Sequence, residues 1–291
     1  MSRAAPTRAS AHRASGVSPR PDLPLGVFDS GVGGLTVLRA IHRLLPGEAA
    51  LYLGDTARVP YGTKSGESVV RYALQAADLL VERGIKLLVV ACNTASAVAL
   101  DALREHLHPL PVLGVIEPGA SAAVAASSNG HFLVLATEAT VHRRAYTQAL
   151  HRLRGDAFVE ELACSLFVAL AEEGWTDGAI ADTVAETYLG GARLHPSGTR
   201  PDCAILGCTH FPLLLTPIRR AIGEQIAIVD SATTTAEAVR AALDEAGLAC
   251  TRRHAGELHF MATDGTERFA RVGTAFLGKP ITAAQVELVD V

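Results

Sequence analysis

The sequence predicts an α/β protein made of two pseudo-symmetric, doubly wound parallel-sheet domains with a cleft between them. Three observations predict it. From Leu25 onward, short apolar runs alternate with longer amphipathic stretches, the order that gives parallel sheets flanked by helices. The apolar runs are nearly continuous rather than alternating, as expected of strands covered on both faces. Finally, a Cys-led polar segment follows an apolar run twice, at Cys92-Asn93-Thr94 and Cys208-Thr209-His210, 116 positions apart.

The elements follow in order. A strand over 25–28 runs into Asp29-Ser30-Gly31-Val32-Gly33-Gly34 and a helix near 34–44. A second strand, 50–53, gives way to the polar loop 54–62 and a helix near 66–82. The strand 86–91 ends at Cys92, before a helix near 95–107; a strand over 112–115 then precedes a helix near 118–127. Ser127 to His131 reads as a surface loop before the strand 132–136, whose end, Leu135-Ala136-Thr137-Glu138, loosely echoes Phe28-Asp29-Ser30-Gly31. Next come a helix near 140–152, a strand over 157–161, a helix near 177–190 and a loop over 195–201. Strands over 203–207, 226–229 and 257–261, with helices near 213–221, 233–246 and 266–275, complete the chain. The symmetry assigns 23–115 plus 226–291 to a first domain and 116–225 to a second. Residues 1–22 carry four arginines and no acid before Asp22, among Ala, Ser and Pro, and read as a disordered extension. They have no apolar core of a secretory signal; an organellar transit peptide is the other reading.

Composition narrows the function. An apolar fraction of 49% with 19% charged residues suits a compact core, and a net charge of −4 offers no footprint for nucleic acid. No segment approaches the ~18 uninterrupted apolar residues of a membrane span. Five scattered cysteines form no disulfide framework and suit a reducing cytoplasm.

Cys92 and Cys208 draw the most attention, because each should sit where a buried strand ends and a helix begins. A helix N-terminus favours negative charge, so both thiols are expected to have lowered pKa values. Two such thiols suggest paired acid/base groups working on opposite sides of a substrate. A metal held by Cys208 and His210 with Cys203 or Cys164 does not match the known zinc spacings, and Cys203 opens the strand whose far end holds Cys208. A Cys-His hydrolase would use only one of the two thiols. The glycines after Asp29 invite a dinucleotide reading, with Asp55 at the ribose position. However, Thr36 stands where the third glycine belongs, and Asp29 would repel a pyrophosphate. A packing turn, or a carboxylate set to hydrogen-bond a thiol or ammonium, remains. The 54–62 loop is either a surface connection or an active-site rim presenting Tyr61.

GVFDSGVGGLTVL (26–38), YLGDTARVPYGTKS (52–65), VVACNTAS (89–96), IEPG (116–119), LGCTHFPLL (206–214) and VDSA (229–232) carry a closer likeness. In order and spacing they resemble the glutamate racemases, members of the cofactor-independent aspartate/glutamate racemase superfamily, over about 23–289. The resemblance implies interconversion of L- and D-glutamate for peptidoglycan by proton transfer at Cα, in the cytoplasm, without cofactor or metal, in a possible homodimer. It makes Cys92 and Cys208 the catalytic thiols, the latter acting on L-glutamate and the former on D-glutamate, with Asp29 and His210 as their helpers. Substrate contacts would come from Asp29, Ser30, Tyr61, Gly62, Asn93, Thr94, Thr209 and His210, extended by Thr137 and Thr140. Glu172 falls where some members place a further acid, although Ser165 and Ala169 replace two prolines usual in that stretch. An aspartate racemase, or a non-catalytic amino-acid-binding protein on the same scaffold, are the alternatives.

Overall fold

The computed structural model describes residues 19–190, 198–251 and 254–291. In chain order its strands are β1 (Leu25–Asp29), β2 (Ala50–Gly54), β3 (Leu87–Val90), β4 (Val112–Gly114), β5 (His131–Ala136), β6 (Phe158–Ala163), β7 (Cys203–Gly207), β8 (Ala227–Asp230), β9 (Leu258–Ala262) and β10 (Val286–Leu288). Its helices are α1 (Leu35–Leu44), α2 (Gly66–Glu82), α3 (Asn93–Leu107), α4 (Ile116–Ala126), α5 (Glu138–His142), α6 (Ala145–Leu153), α7 (Leu166–Glu172), α8 (Ala179–Leu189), α9 (Leu215–Ile222), α10 (Ser231–Ala246) and α11 (Thr266–Leu277).

Two all-parallel sheets carry the fold. One has six strands in the order β10-β9-β2-β1-β3-β4, the other four in the order β6-β5-β7-β8. Every residue of β1, β3, β5 and β7 is buried, which is why these runs read as unbroken apolar sequence. In the first sheet the winding reverses between β1 and β3, and in the second between β5 and β7. At such a reversal the connections leave in opposite directions and open a crevice beyond the strand ends. Asp29 ends β1 and Cys92 follows β3; Thr137 follows β5 and Cys208 follows β7.

The structure corrects several expectations. The strand expected at 226–229 pairs with β7, Cys203 opposite Ala227, so it belongs to the smaller sheet. The chain returns to the larger sheet only afterwards, through α10, which packs on α1 and α4, and then β9. The single helix expected near 140–152 is broken by Arg144, whose φ of 51° lies in the left-handed region. The break frees α5 to pack beside residues 61–63 and α6 to lie against α4. Helix α7 and strand β10 were not foreseen, being only seven and three residues long and too short to set a period.

The expected extension 1–22 lies outside the described residues as far as 18, and the expected loop 195–201 does so as far as 197. Residues 19–22 are held at the start of β1, where the buried Lys86 ammonium donates to the Pro21 carbonyl at 2.9 Å. Lys86 also donates to the Leu248 carbonyl at 2.8 Å and pairs with Glu48 at 2.6 Å. A buried ammonium needs this set of partners, and they tie three separate stretches of chain together.

Candidate active site

One cavity of about 360 Å³ is lined by all ten residues singled out as catalytic or substrate-binding. They are Asp29 and Ser30 after β1, Tyr61 and Gly62 after β2, Cys92, Asn93 and Thr94 after β3, and Cys208, Thr209 and His210 after β7. Thr137, Ser165, Ala169 and Glu172 share the lining, while Thr140 reaches it through a hydrogen bond to Thr137. Both switch points therefore empty into the same space.

The two thiols sit in unlike surroundings. Cys92 caps α3, its sulfur accepting the Ala95 N–H at 3.4 Å while its S–H faces the Ser30 hydroxyl at 3.5 Å. Burial pushes this thiol up to about 12, and the nearby Asp29 adds to the effect; the Ala95 N–H and the Ser30 hydroxyl pull the other way without winning. The expected lowering by the helix N-terminus is thus overturned at Cys92, because desolvation of a thiolate costs more than one cap hydrogen bond returns. Asp29 is also buried and its pKa is raised, chiefly by burial, against the opposing charge of His210 and the N–H groups of Gly31 and Gly34. The Gly31 N–H lies 2.8 Å from its Oδ1.

Cys208 does not begin an α-helix as expected. β7 ends at Gly207, residues 208–210 form a turn, and a short 3₁₀ stretch, Phe211–Leu214, precedes α9. The turn points His210 back at the sulfur, with Nδ1 at 3.8 Å from Sγ. Nε2 faces Glu172 Oε1 at 3.1 Å, and Glu172 Oε2 in turn accepts from Arg268 at 2.8 Å. Burial pushes the His210 imidazole down, but its hydrogen bonds to Cys208 and Glu172 outweigh this and hold it at about 10. Glu172 is held below the usual carboxylate range, first by His210 and then by Arg268, against burial. The raised pKa favours a protonated His210, which places positive charge beside the neighbouring sulfur.

The glycines after β1 are explained by close approach. A Cβ on Gly33 would stand 2.5 Å from the His210 ring and 2.3 Å from Thr209 Oγ1; one on Gly34 would stand 2.7 Å from Asp29 Cβ. The turn leading into α1 thus presses directly on both helper residues, which only a residue without a side chain permits. Asp55, weighed above as a ribose ligand, faces inward. It accepts from the Tyr61 hydroxyl at 2.5 Å and from Thr263 at 2.9 Å, fixing Tyr61 in the cavity wall. Asn93 is gripped from the other half, its Oδ1 accepting from the Tyr146 hydroxyl at 2.8 Å and its amide reaching Ser231 at 3.4 Å. Thr94 meets Thr137 at 3.0 Å, joining the ends of β3 and β5. Ser231 stands in the VDSA segment and Gly33 in the glycine turn after Asp29, but no local signal marks Tyr146 or Arg268.

The remaining cysteines stand apart from this pairing. Burial pushes the thiols of Cys164 and Cys203 up to about 12, with Cys208 adding to the first and Asp202 to the second. Among the described residues no group of three or more His, Cys, Asp and Glu side chains is gathered as a metal would require. No described helix is long and apolar enough to cross a membrane.

Residues 25–239 match the profile of the Asp/Glu/Hydantoin racemase family. The chain belongs to that family. Among its relatives is the glutamate racemase of Geobacter metallireducens, 51% identical over 254 residues, covering 87% of this chain and 92% of the relative. The glutamate racemase of Bacillus anthracis superposes with a TM-score of 0.87 at 36% identity, covering 94% of this chain and 99% of the other. That of Francisella tularensis, in complex with D-glutamate, does so with a TM-score of 0.84 at 34% identity, covering 93% and 98%. The matched residues 25–239 include the whole smaller sheet, strands β1 to β4 of the larger one and every strand end that reaches the cavity.

Proposed function

We propose that this racemase interconverts L- and D-glutamate by proton transfer at Cα, with Cys92 and Cys208 acting from opposite faces. The observation that carries this reading is a single cavity lined by two cysteines from two sheets, each with a different ionisable companion. Family membership and the similarity to glutamate racemases support the substrate.

The chemistry requires one sulfur as thiolate and the other as thiol at the start of each turnover. Burial favours the protonated thiol at Cys92, and the Cys208 sulfur has the His210 ring nitrogen 3.8 Å away as its partner. In that state the Cys208 thiolate takes the Cα proton of L-glutamate, and Cys92 then delivers its own to the opposite face. Turnover leaves the thiol on Cys208 and the thiolate on Cys92, the state that accepts D-glutamate. Asp29 and His210 act as positioning groups that ease each sulfur between its two forms. Ser30, Asn93, Thr94, Thr209, Tyr61 and the backbone at Gly62 bind the substrate's polar groups. Donors among them offset charge as it develops at Cα and on the carboxylate, in a site screened from water. Contact of ~3–3.5 Å on each face is what makes such a weak carbon acid accessible to a thiolate.

D-glutamate made this way would serve peptidoglycan synthesis in the cytoplasm, and a homodimer is the proposed assembly. The deciding experiment follows L- and D-glutamate by circular dichroism in D2O with EDTA and no added cofactor, with L-aspartate alongside. Loss of optical activity from both glutamate enantiomers, with deuterium entering Cα, is the expected result. Turnover of aspartate alone would reassign the substrate, and absence of exchange by folded, reduced protein would sink the enzymatic reading.

A further inference from the structure

In the series Cys208, His210, Glu172 and Arg268, the last comes from the other half of the molecule. It lies on α11, which packs on α1 and β10 beside the larger sheet, whereas Glu172 ends α7, packed against α8 and the 3₁₀ stretch that follows His210. Between them, Arg268 Nη2 and Glu172 Oε2 are 2.8 Å apart, and the other carboxylate oxygen is 3.1 Å from His210 Nε2. Glu172 lines both the main cavity and a smaller one of about 170 Å³, which Arg268, Asp264 and Gly265 help to enclose. A glutamate at the end of a seven-residue helix has rotamers that point into water as readily as at an imidazole. The guanidinium, engaging the distal oxygen, selects the rotamer that leaves the near oxygen on His210.

We propose that Arg268 is a positioning residue for the reaction: from across the cleft, it holds Glu172 on His210 and so supports proton transfer at Cys208 but not at Cys92. This deepens the two-thiol reading above and rests on it. The groups facing His210 are Cys208 from its own turn, Glu172 from α7 and Asp29 from β1, with the Phe276 ring of α11 edge-on at 4.9 Å. Arg268 touches the imidazole only through Glu172. The pair is partly exposed, with Arg268 at 55% and Glu172 at 28% of full side-chain exposure, so screening keeps its stabilising effect small. Its loss should therefore register in the chemistry rather than in folding.

The test uses the full chain with Arg268→Ala, Arg268→Gln and Arg268→Lys, measured beside His210→Asn and Asp29→Asn. Racemisation has an equilibrium constant of one, so kcat/KM must fall equally for both enantiomers in any variant; the expected fall in Arg268→Ala is on the order of 10-fold. The discriminating measurement is the primary isotope effect with glutamate deuterated at Cα. If Arg268 acts through His210, proton removal by Cys208 becomes more rate-limiting while removal by Cys92 becomes less so. The isotope effect then rises for one enantiomer and falls for the other, in the same sense as in His210→Asn and the opposite sense to Asp29→Asn. Arg268→Gln should repeat the pattern, and Arg268→Lys should restore most of the activity with the thermal midpoint unchanged. Isotope effects that stay balanced, or that shift in the sense of Asp29→Asn, overturn the inference. Absence of glutamate turnover by the unaltered protein would instead overturn the reading on which it rests.

Discussion

The ends of β3 and β7 occupy equivalent places in two sheets of similar winding, and each delivers a cysteine to the same cavity. Their surroundings nevertheless differ in kind. Cys92 caps a fifteen-residue helix, meets a hydroxyl and a backbone N–H, and has a buried carboxyl nearby. Cys208 lies in a turn beside an imidazolium that leads through Glu172 to Arg268 and solvent. The comparison teaches that repeating a sheet does not repeat an electrostatic environment. A strand end fixes where a thiol stands; the loops and helices packed over it determine which protonation state is favoured there. For a reaction that needs one thiol and one thiolate, that inequality is useful rather than accidental.

The largest effect should come from removing either member of the pair. Cys92→Ser and Cys208→Ser are each expected to abolish racemisation measured by circular dichroism, while Cys250→Ser keeps full activity. Survival of turnover in either of the first two would break the comparison outright. His210→Asn should lower kcat by about 10²-fold or more, the scale of a lost acid–base partner. It also carries a pH signature. His210 is raised from an ordinary 6.5 to about 10, so it contributes stability in full below pH 6.5, and that contribution is lost as pH rises towards about 10. Chemical-denaturation midpoints between pH 6.5 and 9 should fall in the native protein and stay flatter in His210→Asn; parallel curves would refute the assignment. Near pH 9 the buried thiols of Cys92, Cys164 and Cys203, raised from an ordinary 9.0, begin to add a fall of the same sign, but they do so equally in His210→Asn, so the difference between the two curves reports His210.

Smaller effects sharpen the contrast between the two ends. Gly33→Ala would drive a methyl group into the His210 ring and Thr209, at a cost of about 1–3 kcal/mol from overpacking. A lowered thermal midpoint together with an activity loss on the Cys208 side is expected, and unchanged kinetics would show that the contact relaxes freely. Tyr61→Phe leaves the buried Asp55 with one fewer donor and should cost about 1–3 kcal/mol of stability, read from urea denaturation. It should change turnover less than Cys92→Ser, Cys208→Ser, His210→Asn or Gly33→Ala, since Tyr61 lines the substrate site with its hydroxyl given to Asp55 and to neither sulfur.

Much of the fold was legible because parallel strands covered on both faces must be continuously apolar, so β1, β3, β5 and β7 announced themselves. Short elements such as α7 and β10 did not, since seven or three residues establish no period. The membership of β8 is hidden in the sequence for another reason. Strand pairing depends on which neighbour the chain reaches, and a short apolar run such as 226–229 looks alike in either sheet. At the site, Asp29, Cys92 and Cys208 were visible as polar interruptions at strand ends. Tyr146 and Arg268 were not, because each acts through a contact with a residue distant in the sequence.

By itself, then, the sequence determined the α/β alternation, the two strand-end thiols and the polar segments around them. These follow from local rules of burial and periodicity that a chain obeys wherever its neighbours lie. Only the tertiary structure decided that both switch points share one cavity, that Cys92 is pushed up rather than down, and that Asp55 anchors Tyr61. It alone placed the imidazolium at His210 under the control of Glu172. Desolvation and charge pairing depend on what surrounds a group in three dimensions, and each of those surroundings is assembled from segments far apart along the chain.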